Sequence, residues 1–157
     1  MQKYQNDIAD CRREIILIEE HINKNKFDSF NQFLISYSII KATGVIEIIC
    51  KNMLVEKLSE GASSEAKNFF EAKIRDSSYN PSVDMILRLL QDISRAWQNE
   101  FDAKTKGQNE KVSLKSLIGL RNDFAHGRSV TATIGRIKEY YRDSITVLTW
   151  LHDILNP

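Results

Sequence analysis

At 157 residues, 42% of them hydrophobic and 27% charged, the chain has the length and apolar content of a single globular domain, which excludes a disordered polypeptide. The net charge is +1 but unevenly placed: residues 104–142 hold nine Lys or Arg against Glu110, Asp123 and Glu139, so this window carries +6 and the remainder −5. Such a balance suits either a polyanion-binding face or an ordinary solvated helix face.

The apolar spacing is helical from end to end. Ile8, Cys11, Ile15, Ile18 and Ile22 step by three or four and define a first helix over roughly residues 2–24. "NKNKFD" breaks it, and Ser29 with Gln32 forms a capping box for a long second helix that runs to about Ser59 and stops at Gly61. Phe30, Phe33, Leu34, Tyr37, Ile40, Ile48, Ile49 and Met53 give this helix a wide apolar stripe, within which Gly44 marks close helix packing. Ser63 or Ser64 caps a short third helix carrying Phe69, Phe70 and Ile74, and "DSSYNP" then reads as a turn.

Asn80 and Pro81 take the Ncap and N1 places of a fourth helix, because proline has no N–H to lose there. Its stripe is Val83, Ile86, Leu90, Ile93 and Trp97, and "DAKTKGQNEK" follows as a polar connection. Ser113 caps a fifth helix with Leu114, Leu117, Ile118 and Leu120. Thr131 or Thr133 starts a last helix, in which Ile134, Ile137, Tyr141, Ile145, Leu148, Leu151 and Leu155 keep helical spacing to the end. The expected fold is all-α: one domain over residues 1–157, a bundle of five to six helices without repeats or an internal boundary.

No stretch reads as an uninterrupted apolar run of membrane-spanning length, and "MQKYQNDIADCRREI" lacks the charged-then-apolar order of a secretory signal. A cytoplasmic protein without a membrane partner is the expectation. Cys11 and Cys50 lie far apart among apolar residues and read as buried, reduced thiols. His21, His126 and His152 lack ligand spacing, so neither a metal nor another cofactor is expected.

The chemistry concentrates in "RNDFAHG", Arg121 to Gly127, where the fifth helix ends. Arg121 and His126 are five residues apart, about 140° round and roughly 7.5 Å along an unbroken helix, so they do not share a face. Phe124 and Ala125 continue the Leu117 and Leu120 stripe, which leaves the polar members flanking the core, and Gly127 supplies the positive φ that ends many helices. Two readings stand. His126 complements the helix dipole with Arg121 and Asp123 as surface residues, or the cluster is a site. The bare Arg-to-His pair is common by composition; Asn after the Arg, a small residue before the His, Gly after it and placement between two apolar helices make it more specific.

With those features the chain resembles HEPN domains, small helical bundles of many prokaryotic defence and toxin systems, and within them the stand-alone RiboL-PSP-like members. The resemblance covers most of the chain: a long second helix with an acidic residue, Glu47 in "VIEIIC", the motif ending the penultimate helix, and a last long helix. It implies a metal-independent endoribonuclease acting as a homodimer, in which two motifs meet and leave a 2′,3′-cyclic phosphate. Arg121 and His126 would be catalytic, with Asn122 orienting the phosphate or the histidine, and Glu47 either holding Arg121 or serving as a structural carboxylate. Lys115, Arg128 and Arg136 would bind RNA, and Tyr140, Tyr141 and Trp150 would line the dimer contact or, for Trp150, the protomer core. Asp123 is the oddity, a negative charge beside a phosphate site. The alternative is a non-catalytic RNA-binding or interaction module, and an antitoxin or sensor protein is a further expected partner.

Overall fold

The computed structural model describes residues 1–77 and 80–157. Among them the chain forms seven α-helices and no strand: α1 (Gln5–Lys24), α2 (Asn31–Ser59), α3 (Ser64–Phe70), α4 (Val83–Ile93), α5 (Arg95–Thr105), α6 (Asn109–Ala125) and α7 (Ile134–Leu155). A short 3₁₀ turn, Gln2–Tyr4, leads into α1, and α3 widens at its end into a π-type turn, Glu71–Arg75, closed by the Asp76 amide on the Glu71 carbonyl. The all-α expectation holds, with seven helices in place of five to six.

The additional helix, α5, comes from a break that apolar spacing hides. Val83 to Trp97 reads as one stripe, yet Ser94 is extended; it ends α4 and its Oγ accepts from the Trp97 amide to start α5. The expected polar connection is mostly helical for the same reason: Phe101 is fully buried on α5, which continues to Thr105, and only residues 106–108, with Gly107 at φ +74°, separate it from α6. Ser113 lies inside α6 and donates to Asp143 Oδ2 on α7, so it caps nothing.

Other starts also differ. Asp28, not the Ser29 and Gln32 box, precedes α2 with its carboxylate accepting from the Phe30 amide, while Gln32 Nε2 donates to the Val130 carbonyl. Ser82, not Asn80, caps α4. Ser63 caps α3, Gly61 ends α2 at φ +70°, and Thr133 caps α7, as the sequence indicates. The "DSSYNP" turn lies partly outside the described residues.

α2 and α7 form the middle of the bundle. α7 packs on α1, α2, α5 and α6, and α2 packs on α1, α3, α6 and α7. Their shared core holds Ile39, Ile46, Leu54, Val147, Leu148 and Leu151, all fully buried. Tyr141 is buried as well, its hydroxyl donating to the Ile8 carbonyl, and Tyr140 and Trp150 pack partly buried against the core. Tyr141 therefore belongs to the protomer core, while Tyr140 and Trp150 keep part of their surface exposed. α2 is long and apolar enough to cross a membrane by length and composition alone, although Lys41, Glu47 and Lys51 interrupt its apolar run; about 44% of its most apolar stretch is buried within the bundle.

Candidate functional site

The end of α6 shapes the site. Its last turn closes through three backbone hydrogen bonds: the His126 amide to the Asn122 carbonyl at 3.0 Å, Gly127 to Phe124 at 3.0 Å and Arg128 to Asp123 at 2.8 Å. The last two make a Schellman closure, which requires the left-handed backbone that Gly127 adopts at φ +71°. His126 is the C-cap residue and is exposed, beyond the apolar packing of the helix.

Arg128 also turns its side chain back onto the same residue, Nη1 lying 2.9 Å from Asp123 Oδ1. The carboxylate that looked misplaced beside an anion site is thus neutralised from within the motif's own helix end. Arg128 has this local electrostatic task in addition to any contact with a ligand.

Asn122 is held from two sides. Its Oδ1 accepts from Asn80 Nδ2 at 2.9 Å and, more weakly, from the neighbouring Arg121 Nη1 at 3.4 Å. With the oxygen so engaged, the group that Asn122 offers a ligand is its Nδ2 donor. Arg121 and Asn122 are half-buried side by side, a permanent cation next to an oriented amide donor. Their shared chemistry is the recognition of an anionic oxygen.

Asn80 lies outside the motif, and the helix-cap place that the sequence suggests for it is taken by Ser82. Only the tertiary fold brings it 42 residues along the chain to Asn122. Ser77, three residues before it, accepts from Lys51 Nζ through its backbone carbonyl. Ser77 and Asn80 thereby fasten this stretch to α2 at one point and to α6 at the other.

Glu47 is where α2 meets this arrangement, and its carboxylate bonds to Lys51 Nζ at 2.5 Å, one turn on. The structure thus pairs Glu47 with buried Lys51 instead of Arg121. Among the other candidates, Lys115 is exposed on α6, and Arg136 pairs with Glu139 at 2.8 Å. A groove of about 310 Å³ borders the motif, lined by Asp123, Arg136, Tyr140 and, just before α7, Thr131 and Ala132. No group of three or more His, Cys, Asp or Glu that could hold a metal occurs among the described residues.

Compared with known proteins, the chain matches the family model described as RiboL-PSP-HEPN over residues 6–156. No curated protein and no solved structure matches it.

Proposed function

The chain belongs to the RiboL-PSP-HEPN family, and from that membership we propose that it is a metal-independent endoribonuclease working as a homodimer. The observation that carries the proposal is the end of α6: a cation and an amide donor held together at Arg121 and Asn122, an exposed imidazole at His126, and Asp123 neutralised by Arg128. Such a surface favours a phosphodiester.

Arg121 and Asn122 Nδ2 would bind the non-bridging oxygens of the scissile phosphate and stabilise the charge that gathers on them. His126 of one subunit takes the proton of the ribose 2′-OH. The 2′ oxygen attacks phosphorus, the bond from phosphorus to the 5′ oxygen breaks, and the departing oxygen receives its proton from His126 of the partner subunit. Imidazole suits both tasks because it accepts and releases protons near neutral pH. The products are a 2′,3′-cyclic phosphate and a 5′-OH. A role in a prokaryotic defence or toxin system, in the cytoplasm and under control of an antitoxin or sensor protein, accompanies this reading.

The test is incubation of purified protein with labelled RNA in EDTA, with the product ends read by mass spectrometry. Cleavage giving cyclic-phosphate ends, lost in His126→Ala, supports the proposal. Magnesium-dependent cleavage or 5′-phosphate ends would refute the mechanism. RNA binding without cleavage would favour the interaction module.

A further inference from the structure

α1 and α7 enclose a cleft of about 410 Å³ that the proposed cleavage does not use. The Lys138–Glu19 ion pair and the hydrogen bond from the Tyr141 hydroxyl to the Ile8 carbonyl run the two helices antiparallel. Arg12, Ile15, Ile16 and Glu19 share one face of α1, and Gly135, Lys138, Glu139 and Arg142 share one face of α7. The cleft therefore has two unlike ends: Arg12 and Arg142 at one, Gly135 with the Lys138–Glu19 pair at the other.

The floor between them is carbon. Ile15 and the Tyr141 ring are buried there, Ile16 is 37% exposed, and the Tyr141 hydroxyl is engaged by Ile8. Arg12 has no hydrogen-bond or ion-pair partner among the described residues. Arg142 gives Nε and Nη2 to Asp143 and keeps Nη1 open, while Glu139 is neutralised by Arg136 at 2.8 Å. An anion seated between the two guanidinium groups thus meets no unpaired carboxylate among the lining residues.

We propose that this cleft binds one nucleotide of a single-stranded RNA, with its phosphate on Arg12 and Arg142 and its base laid over Ile16 toward Gly135. The volume falls within the ~300–1,000 Å³ of small-ligand sites. An anion at one end of an apolar floor also fits a fatty acid, and the far end decides between them. Lys138 and Glu19 present a donor and an acceptor there, which a base edge uses and a hydrocarbon tail cannot. A base enters such a concavity only when unpaired, which selects a single strand.

The cleft is also within reach of the motif. Glu139 lines it, while its partner Arg136 lines the groove beside Asp123, so the two depressions flank the first turns of α7. A helix with its side chains is ~10–12 Å across, about three nucleotides at the ~3.4 Å per residue of a stacked strand. A strand lying in the motif groove thus passes its next nucleotides over the Arg136–Glu139 pair and sets a base into the cleft. This reach rests on the nuclease reading above; nucleotide binding in the cleft does not.

Gly135→Leu and Arg12→Glu test the site, with Lys67→Glu on α3 as an exposed, charge-matched control for the second. A leucine at Gly135 fills the cleft without changing charge; the helical backbone accepts it, and its Cβ meets only Glu19 Oε1, at 4.0 Å. Fluorescence anisotropy with a 2′-O-methyl oligoadenylate dodecamer, which lacks the attacking hydroxyl, reads binding without cleavage. Both variants should raise its Kd at least about tenfold, the order of one lost base contact. Thermal melts should be retained, and the control should bind like the parent. In nitrogen-15-labelled parent, 5′-AMP should shift the Ile16 and Gly135 amide signals and ribose 5-phosphate should leave them in place. Equal shifts with ribose 5-phosphate would overturn the proposal, and 5′-AMP binding with unchanged dodecamer affinity in both variants would assign the cleft to a free nucleotide instead. Cleavage of RNA by a protein whose variants bind the dodecamer like the parent rejects the site and leaves the nuclease reading standing. Weakened binding in both variants of a protein that cuts no RNA upholds the site and rejects the catalytic reading.

Discussion

Asn80 Nδ2 lies 2.9 Å from Asn122 Oδ1, which joins the stretch before α4 to the last turn of α6 and fixes which end of the Asn122 amide faces outward. A residue with no place in the motif therefore sets the polarity of one inside it.

Asn80→Asp replaces the donor with a carboxylate and turns the Asn122 amide round, and Asn80→Ala leaves it unheld. Each should lower RNA cleavage about tenfold, the order of one hydrogen bond to a charged ligand. In an Asn122→Ala background the same changes should add little. Cleavage rates for the four proteins of each cycle measure that coupling; full additivity would reduce Asn80 to a scaffold role.

Arg121→Ala and His126→Ala should each reduce cleavage by at least about a hundredfold. Melting should fall by no more than about 1 kcal/mol, because His126 is exposed and the helix end is closed by backbone bonds that alanine keeps. Titrating the parent with an excess of His126→Ala adds the assembly test. In an equal mixture at fixed total protein, two histidines acting at one shared site leave about a quarter of the activity of the same amount of parent, and independent sites about half.

Asp123→Asn frees Arg128 from its carboxylate and removes one negative charge beside the motif. RNA affinity should rise a few-fold at low ionic strength, with the gain shrinking as salt is added. Lys115→Ala and Arg136→Ala should act oppositely, weakening binding and flattening its salt dependence while turnover at saturation persists. Filter binding across a salt series reads both effects.

Burial pushes the Cys11 thiol up to about 11 and the Cys50 thiol up to about 12, against 9.0 ordinarily. The folded chain keeps these protons where the unfolded chain releases them. Their contribution is complete below about pH 9 and is lost as the pH climbs through the window from about 9 to about 12. Iodoacetamide at pH 8 should leave both thiols unmodified until urea unfolds the protein, and the urea midpoint should decline above pH 9, less steeply in Cys50→Ala.

Most of the helices could be read from spacing alone, because a 3.6-residue period in Ile, Leu and Val survives whatever neighbours they find. The Ser94 break could not, since Val83 to Trp97 keep one stripe across it and a serine reads equally as helix or cap. Within the site, Arg121, Asn122, His126 and the positive φ of Gly127 were legible because they are local to one helix end. Asn80 and Lys51 were not. Their contacts join distant segments, and Asn before Pro carries a strong cap signal that the fold overrides. Exposure along α2 was hidden for a related reason: Phe33 and Ile48 face solvent, and Gly44 has no neighbour within 4 Å of its Cβ position, yet apolar residues look alike in sequence whether they face the core or solvent.

Lys51 reaches Ser77 across 26 residues, and Asn80 reaches Asn122 across 42. Each helix can form from its own neighbours, but these two ties exist only after α2, the stretch before α4 and α6 have come together. The outward donor of the Asn122 amide thus exists only where these distant segments are assembled. A nascent or partly unfolded chain carries every residue of the motif without the arrangement, so chemical competence arrives together with the finished tertiary structure.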